Sequence, residues 1–271
     1  MGFSRRQFLA GAGALAAASM ADFGPALRAF AMNSPFRVAV INDEISQDFG
    51  RACEIVAQEF GLSWIELRGM WNKNLASLDA NELTEARKIL ERYKLRVTDI
   101  ASPLFKVDWP GAPRSKQSPK RDQFNADFDF KQQDQVLDRS LELARTFHTD
   151  RVRCFDFWRL DDQAPYRAAI DQKLREAAGT AAKQNIILVL ENEMSCNTGS
   201  GAELARTLNA VQAPNFMGNW DPGNAATLDE VPFPNGYAKL PKNRIGHMHC
   251  KDAKKKPSGD GGFDGSSWTR S

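Results

Sequence analysis

Asn185-Ile186-Ile187-Leu188-Val189-Leu190-Glu191-Asn192-Glu193 is the stretch whose reading decides the fold. Its apolar run is continuous rather than alternating, which is the pattern of a parallel strand covered on both faces. It ends directly in carboxylates. A helix-spaced stretch precedes it at 165–184 and another follows at 201–211. Working outward, further β-rich runs lie at 36–41, 64–68, 96–102 and 151–157 on one side and at 216–220 and 245–250 on the other. Between them, 52–60 carries Ile55, Val56 and Phe60 at helical spacing and stops at Gly61. The stretch 80–93 is capped by Asp79 and places Leu83, Ala86, Ile89 and Leu90 on one face, and 130–147 is again helical. Proline-bearing and basic, 110–125 reads as a long loop. Seven strands in a βα rhythm predict a parallel α/β sheet and point past an open doubly wound sheet to an eight-stranded (β/α)8 TIM barrel. No GxGxxG follows the first strand, which disfavours a dinucleotide site.

Composition narrows the function classes. The chain has 271 residues, 42% hydrophobic and 26% charged, with six Trp and 17 Phe, so it has ample material for a core. Lys and Arg number 36 against 34 Asp and Glu, a net charge of +2 that offers no footprint for nucleic acid. Three histidines are too few for a multinuclear zinc centre, and Cys53, Cys154, Cys196 and Cys250 form no CxxC pair. Those thiols read as core.

Ser4-Arg5-Arg6-Gln7-Phe8-Leu9, followed by an Ala/Gly-rich run, reads as a twin-arginine export signal over 1–31. Cleavage after Ala21 or after Ala31 fits equally. The run is too short and too rich in alanine for a stable membrane span. A periplasmic or otherwise exported protein is therefore expected.

In a barrel of this kind the chemistry lies at the carboxyl ends of the strands. There the chain places Glu191-Asn192-Glu193, Asp221-Pro222-Gly223-Asn224 and His249-Cys250-Lys251-Asp252. Two carboxylates and an imidazole on three successive strand ends supply what a divalent cation needs: oxygen and one nitrogen, suited to Mn, Mg, Co or Zn. His247 and His249 share one side of a strand, so the period alone does not choose between them. Glu66, Arg68, Lys106, Arg153, Asn224, His247 and Lys251 also fall at or near strand ends and are candidates to line a sugar pocket, with Trp71 and Trp158 as stacking faces. Glu66 with Arg68 as a buried pair is the bland alternative. His148 fits a helix C-terminus better than catalysis.

These residues resemble the xylose isomerase-like barrels, specifically the sugar phosphate isomerase/epimerase group. The resemblance runs over 36–252 through Asn42-Asp43-Glu44-Ile45-Ser46, Ile65-Glu66-Leu67-Arg68, Ser102-Pro103-Leu104-Phe105-Lys106, Leu190-Glu191-Asn192 and His249-Cys250-Lys251-Asp252. It implies one divalent metal held by Glu, Asp, His and a final Glu. Glu191, Asp221 and His249 match the first three, His249 being preferred for the x-Lys-Asp that follows it. It also implies proton transfer next to a carbonyl through an enediolate, by isomerisation, epimerisation or elimination from a keto-sugar, with Glu191 as one acid/base. Where many relatives carry a histidine, this chain has Asn224. After Asp252 only a Gly/Ser/Lys-rich tail, 253–271, remains. No eighth βα unit and no fourth glutamate can be read there, so a barrel lacking that unit is expected. A small-molecule sugar or sugar derivative is the expected partner, with room for a homo-oligomer. Rival readings are an exported sugar-binding protein without turnover, an inactive truncated barrel, and a DNA-repair endonuclease, which the histidine count and charge oppose.

Overall fold

The computed structural model describes residues 34–116, 118 and 126–251, together with the backbone of 253–255 and 268–270. The export-signal reading and most of the tail lie outside the described residues.

Six parallel strands form one sheet in the order β1 (Trp64–Leu67), β4 (Arg96–Ile100), β5 (Arg151–Cys154), β6 (Ile187–Glu191), β7 (Phe216–Trp220), β8 (Ile245–Met248). Each is joined to the next by a crossover, as parallel pairing requires. A short antiparallel hairpin, β2 (Gly69–Met70) with β3 (Lys73–Asn74), follows β1, and β9 (Ala253–Lys255) pairs with β10 (Trp268–Arg270). The hairpin turns through Trp71 and Asn72, both at positive φ, which is the backbone of a tight hairpin loop. The sequence gives no Asn-Gly or Asp-Gly signal for it.

The expected first strand at 36–41 does not form. Ile41 makes a single parallel bridge to Glu66, and the Val40 carbonyl accepts the Glu66 N–H at 3.0 Å. Phe36 is exposed at the start of the segment, so its apolar residues lack the two-sided cover that sustains a parallel strand. The sheet is an incomplete barrel of the expected class, with β1 and β8 as its edges.

Helices cover the outer face. They are α1 (Phe49–Glu54), α2 (Ala80–Tyr93), α3 (Gln133–Thr146), α4 (Arg167–Ala182) and α5 (Gly201–Ala210), while the short α6 (Pro222–Ala226) follows β7 at the strand ends. Capping boxes start two of them: Asp79 with Glu82 on α2, and Ser200 with Glu203 on α5. Leu83, Ala86, Ile89 and Leu90 of α2, Val136, Leu137 and Leu141 of α3, and Ile170, Leu174 and Ala181 of α4 join the strand residues Leu67, Val152, Leu188 and Leu190 in one buried core. His148 sits at positive φ just past α3, a helix stop.

The opposite face of the sheet is polar and faces itself. Arg151 Nε on β5 donates to the Gly246 carbonyl on β8 at 3.0 Å, although those strands are not neighbours. Glu66 on β1 meets His247 on β8, which brings the two edges together through their side chains. Two register shifts shape this interior. Between Ile65 and Leu67 the partner strand advances from Val97 to Ile100, and between Gly218 and Asn219 the partner advances from Ile245 to His247. Each sets an extra residue into one strand, and such bulges re-aim side chains. Here they fall at Glu66 and Asp99 and just before His247. Gly246 occupies the second bulge, where a Cβ would lie 2.9 Å from Met217 Cβ and 3.1 Å from Val189 Cγ1, closer than a side chain tolerates.

Candidate metal centre

Glu191 ends β6, Asp221 follows β7 as the N-cap of α6, and His249 follows β8. One donor atom from each lies within 4.8 Å of the others, and all three residues are buried. His249 Nδ1 is 3.2 Å from Glu191 Oε1 and 3.8 Å from Asp221 Oδ2. Its other nitrogen, Nε2, faces Glu66 Oε1 at 3.0 Å. Among the described residues a second triplet, Glu66, His247 and His249, meets the same distance condition.

The candidate pocket residues divide by what they touch. Arg153 donates to Glu191 Oε2 at 3.1 Å and to the carbonyls of Ala101 and Ser102, so it braces the Glu191 carboxylate. Asn224 donates to Glu191 Oε1 at 3.2 Å and accepts from Lys251 Nζ at 3.0 Å. Lys251 Nζ also lies 2.5 Å from Asp221 Oδ2, so the ammonium is that buried oxygen's partner. Arg68 does not pair with Glu66. Its Nε reaches Asp43 Oδ1 at 2.9 Å and its Nη2 reaches Glu44 Oε1 at 2.7 Å. Glu66 instead holds the two histidines. Lys106 lies 3.7 Å from Glu193 and over the rings of Phe155 and Trp158, on the wall of a cavity of about 280 Å³ that Asp108, Phe128 and Phe130 also line. Trp158 is almost fully buried there, and Trp71 packs edge-on against Phe49 at 6.1 Å.

Charge at the centre follows from these contacts. Burial works to raise Glu191, but the His249 and Arg153 cations outweigh it and hold the carboxyl well below the usual range. Burial would lower His249, yet Glu66 and Glu191 on its two sides raise it well above the ordinary imidazole value. Asp221 is raised, chiefly by burial and against the pull of Lys251. For Lys251 burial acts downward and is overcome by Glu191 and Asp221.

Two participants escaped the sequence reading. Asn219 on β7 places Nδ2 3.4 Å from His249 Nδ1 and 3.3 Å from Nε2. Asp99 on β4 is wholly buried and neither carboxylate oxygen has a hydrogen-bond partner. A charged residue inside an apolar strand was the available signal. Burial and then the Glu66 charge push the Asp99 carboxyl up to about 6. Its folded form thus binds a proton more tightly than its unfolded form, so its contribution to stability is present at low pH and falls as pH rises from about 4 through about 6. In the metal-free chain, Asp99→Asn is expected to remove that fall. The variant should be the more stable of the two above pH 7, by about 3 kcal/mol for a shift of that size. Urea unfolding of both chains from pH 4 to 8 checks it, and parallel pH profiles would refute it.

The xylose isomerase-like TIM barrel family model matches residues 55–268, and the chain belongs to that family. Solved structures of the same fold include a xylose isomerase-like TIM barrel protein from Mycobacterium smegmatis in complex with magnesium. It is 20% identical, with 82% of this chain and 76% of that one covered and a TM-score of 0.59. The D-psicose 3-epimerase of Clostridium cellulolyticum, solved with D-tagatose, is 14% identical over 83% and 76% of the two chains at a TM-score of 0.58. The probable 3-DHS dehydratase of Bacillus anthracis is 19% identical over 80% and 73%, at 0.59. Curated protein sequences offer no match. No helix among the described residues is long and apolar enough to cross a membrane.

Proposed function

We propose that the chain is a metal-dependent sugar isomerase or epimerase, acting on a keto-sugar or sugar derivative by moving a proton next to the carbonyl. The observation that carries the reading is the convergence of Glu191, Asp221 and His249 Nδ1 in one buried cluster, with donor atoms within 4.8 Å of one another. Two carboxylates and one imidazole suit Mn, Mg, Co or Zn, and relatives of this fold include a magnesium complex and an epimerase. Glu191, Asp221 and His249 would hold such a cation, and when bound it would supply Lewis-acid polarisation of a substrate carbonyl. The chain's own residues then do the following. Arg153 and Asn224 fix the Glu191 carboxylate. Lys251 balances the charge of Asp221. Lys106 lies 3.7 Å from Glu193, two residues past Glu191, and with Asp108 lines a cavity of its own. Glu191 serves as ligand and as proton carrier.

The Arg153 guanidinium on Glu191 Oε2 and the Asn224 amide on Oε1 favour the ligand role over the basic one, because a carboxylate held by a cation and a donor is a weak proton acceptor. That observation favours a second reading, a sugar-binding barrel without turnover. Solvent deuterium separates the two. The manganese-loaded chain, incubated in D2O with ketohexoses, is expected to place deuterium on the carbon next to the carbonyl. Glu191→Gln should slow this by roughly 10²–10⁴. Saturable sugar binding with no exchange would establish the second reading instead. Export by the twin-arginine route is part of the proposal, and a reporter fused behind residues 1–31 tests it.

A further inference from the structure

The centre contains a carboxylate that the metal reading does not use. Glu66 stands on β1, at the far edge of the sheet from β8, and is buried. Its Oε1 is 3.0 Å from His249 Nε2 and its Oε2 is 2.9 Å from His247 Nε2. Both of its oxygens face imidazole nitrogens, so the rings are the donors and the carboxylate accepts. Of the two carboxylates that flank the His249 ring, Glu66 makes the shorter contact, 3.0 Å at Nε2 against 3.2 Å for Glu191 at Nδ1, and Glu66 is outside the Glu191, Asp221 and His249 cluster. Nδ1 of the same ring faces Glu191 and Asp221.

We propose that Glu66 is the positioning residue of His249: it grips His247 and His249 with one oxygen each, commits His249 Nε2 as a donor, and thereby presents Nδ1 to a divalent cation. The proposal rests on the metal reading above. A carboxylate behind a ligand histidine fixes both ring orientation and tautomer, and its removal typically costs 10–100-fold in metal affinity. The same grip ties the two sheet edges together.

The competing arrangement puts the cation on Glu66, His247 and His249 themselves. Hydrogen bonding opposes it: both Glu66 oxygens are satisfied by the histidines, whereas Asp221 Oδ2, on the other side of the ring, is held only by the Lys251 ammonium from the rim. His247, held by Glu66 Oε2, braces the carboxylate so that Oε1 stays on His249.

The test is zinc titration of the full chain against a chromophoric chelator, with long-range ¹H–¹⁵N spectra of the histidines and circular dichroism to confirm the fold of each variant. Glu66→Ala is expected to weaken zinc by 10–100-fold and to abolish the exchange-protected Nε2–H signal of His249. Glu66→Gln keeps one acceptor oxygen and should lose less, which also serves if the alanine variant does not fold. Zinc affinity unchanged in these variants, with the Nε2–H still protected, overturns the proposal. So does zinc retained by Asp221→Asn but lost by both Glu66→Ala and His247→Gln, since the cation would then sit on the other triplet. A wild-type chain that takes up no zinc overturns the metal reading alone. The metal-free spectra then decide the clamp: an exchange-protected His249 Nε2–H in the wild type that is lost in Glu66→Ala supports it, and identical spectra for the two chains overturn it.

Discussion

Asp221→Asn is expected to strip the chain of tightly bound manganese or zinc, with a loss larger than the roughly 10–100-fold that removing an outer partner costs. The change removes one negative charge and one strong donor from a cluster that has two carboxylates and one imidazole to offer. It leaves the fold nearly untouched. Asp221 Oδ1 accepts the Asn224 N–H at 2.8 Å as the N-cap of α6, and asparagine caps as well as aspartate does. In the metal-free state the substitution also removes a like charge beside Glu191, which offsets the lost contact with Lys251. A metal assay paired with a thermal melt therefore reads two different things. The wild type should melt higher with added manganese, because a ligand that binds only the folded state stabilises it. The variant should melt at one temperature with or without manganese. A variant that keeps stoichiometric metal would show that Asp221 is not a ligand.

The largest loss of stability is expected away from that centre, at Asp156. This residue follows β5, is wholly buried, and joins three elements. Its Oδ1 accepts the Thr198 N–H at 2.8 Å, and its Oδ2 accepts the Thr198 hydroxyl at 2.7 Å and Arg167 Nη1 at 3.0 Å. Thr198 lies in the loop after β6, and Arg167 opens α4 and also reaches Asp171 and Thr207. Asp156→Ala would leave the buried Thr198 N–H without its acceptor and take from Arg167 the nearer of its two carboxylates. Breaking a buried charge pair from one side costs about 3–5 kcal/mol. Asp156→Asn keeps one acceptor oxygen but turns an amide toward Arg167, and about 1–3 kcal/mol is expected for it. Urea midpoints at constant slope measure both. A loss under about 1 kcal/mol for the alanine variant would mean that water replaces the carboxylate and that the network is not structural.

Neither Asp156 nor Glu66 announces its role in the sequence. Each is a charge at a strand end, as Arg68 and Lys106 are. The partner that separates a brace from a ligand comes from a residue far along the chain: Thr198 for Asp156, His247 and His249 for Glu66, Asp43 and Glu44 for Arg68. The strand at 36–41 misled for a related reason. Its β-branched and aromatic residues fit a strand locally, but strand formation needs neighbours on both faces, and Phe36 has open solvent.

Whatever depends on spacing along the chain was legible before any fold was known. The unbroken apolar run before Glu191, the helical periodicity of 80–93 with its Asp79 cap, and the recurrence of carboxylates and histidine after successive strands specify a parallel barrel-like sheet and one rim of polar residues. Those features follow from backbone geometry, which repeats at fixed periods whatever lies across from it. The tertiary structure alone decided which nitrogen of His249 faces which carboxylate, that Arg153 and Asn224 brace Glu191, and that Asp99 is buried without a hydrogen-bond partner. Those depend on two bulges and on the curl that brings β1 opposite β8. A one-residue change of register turns a side chain to the other face of the sheet, and no local pattern in the chain records where that change falls.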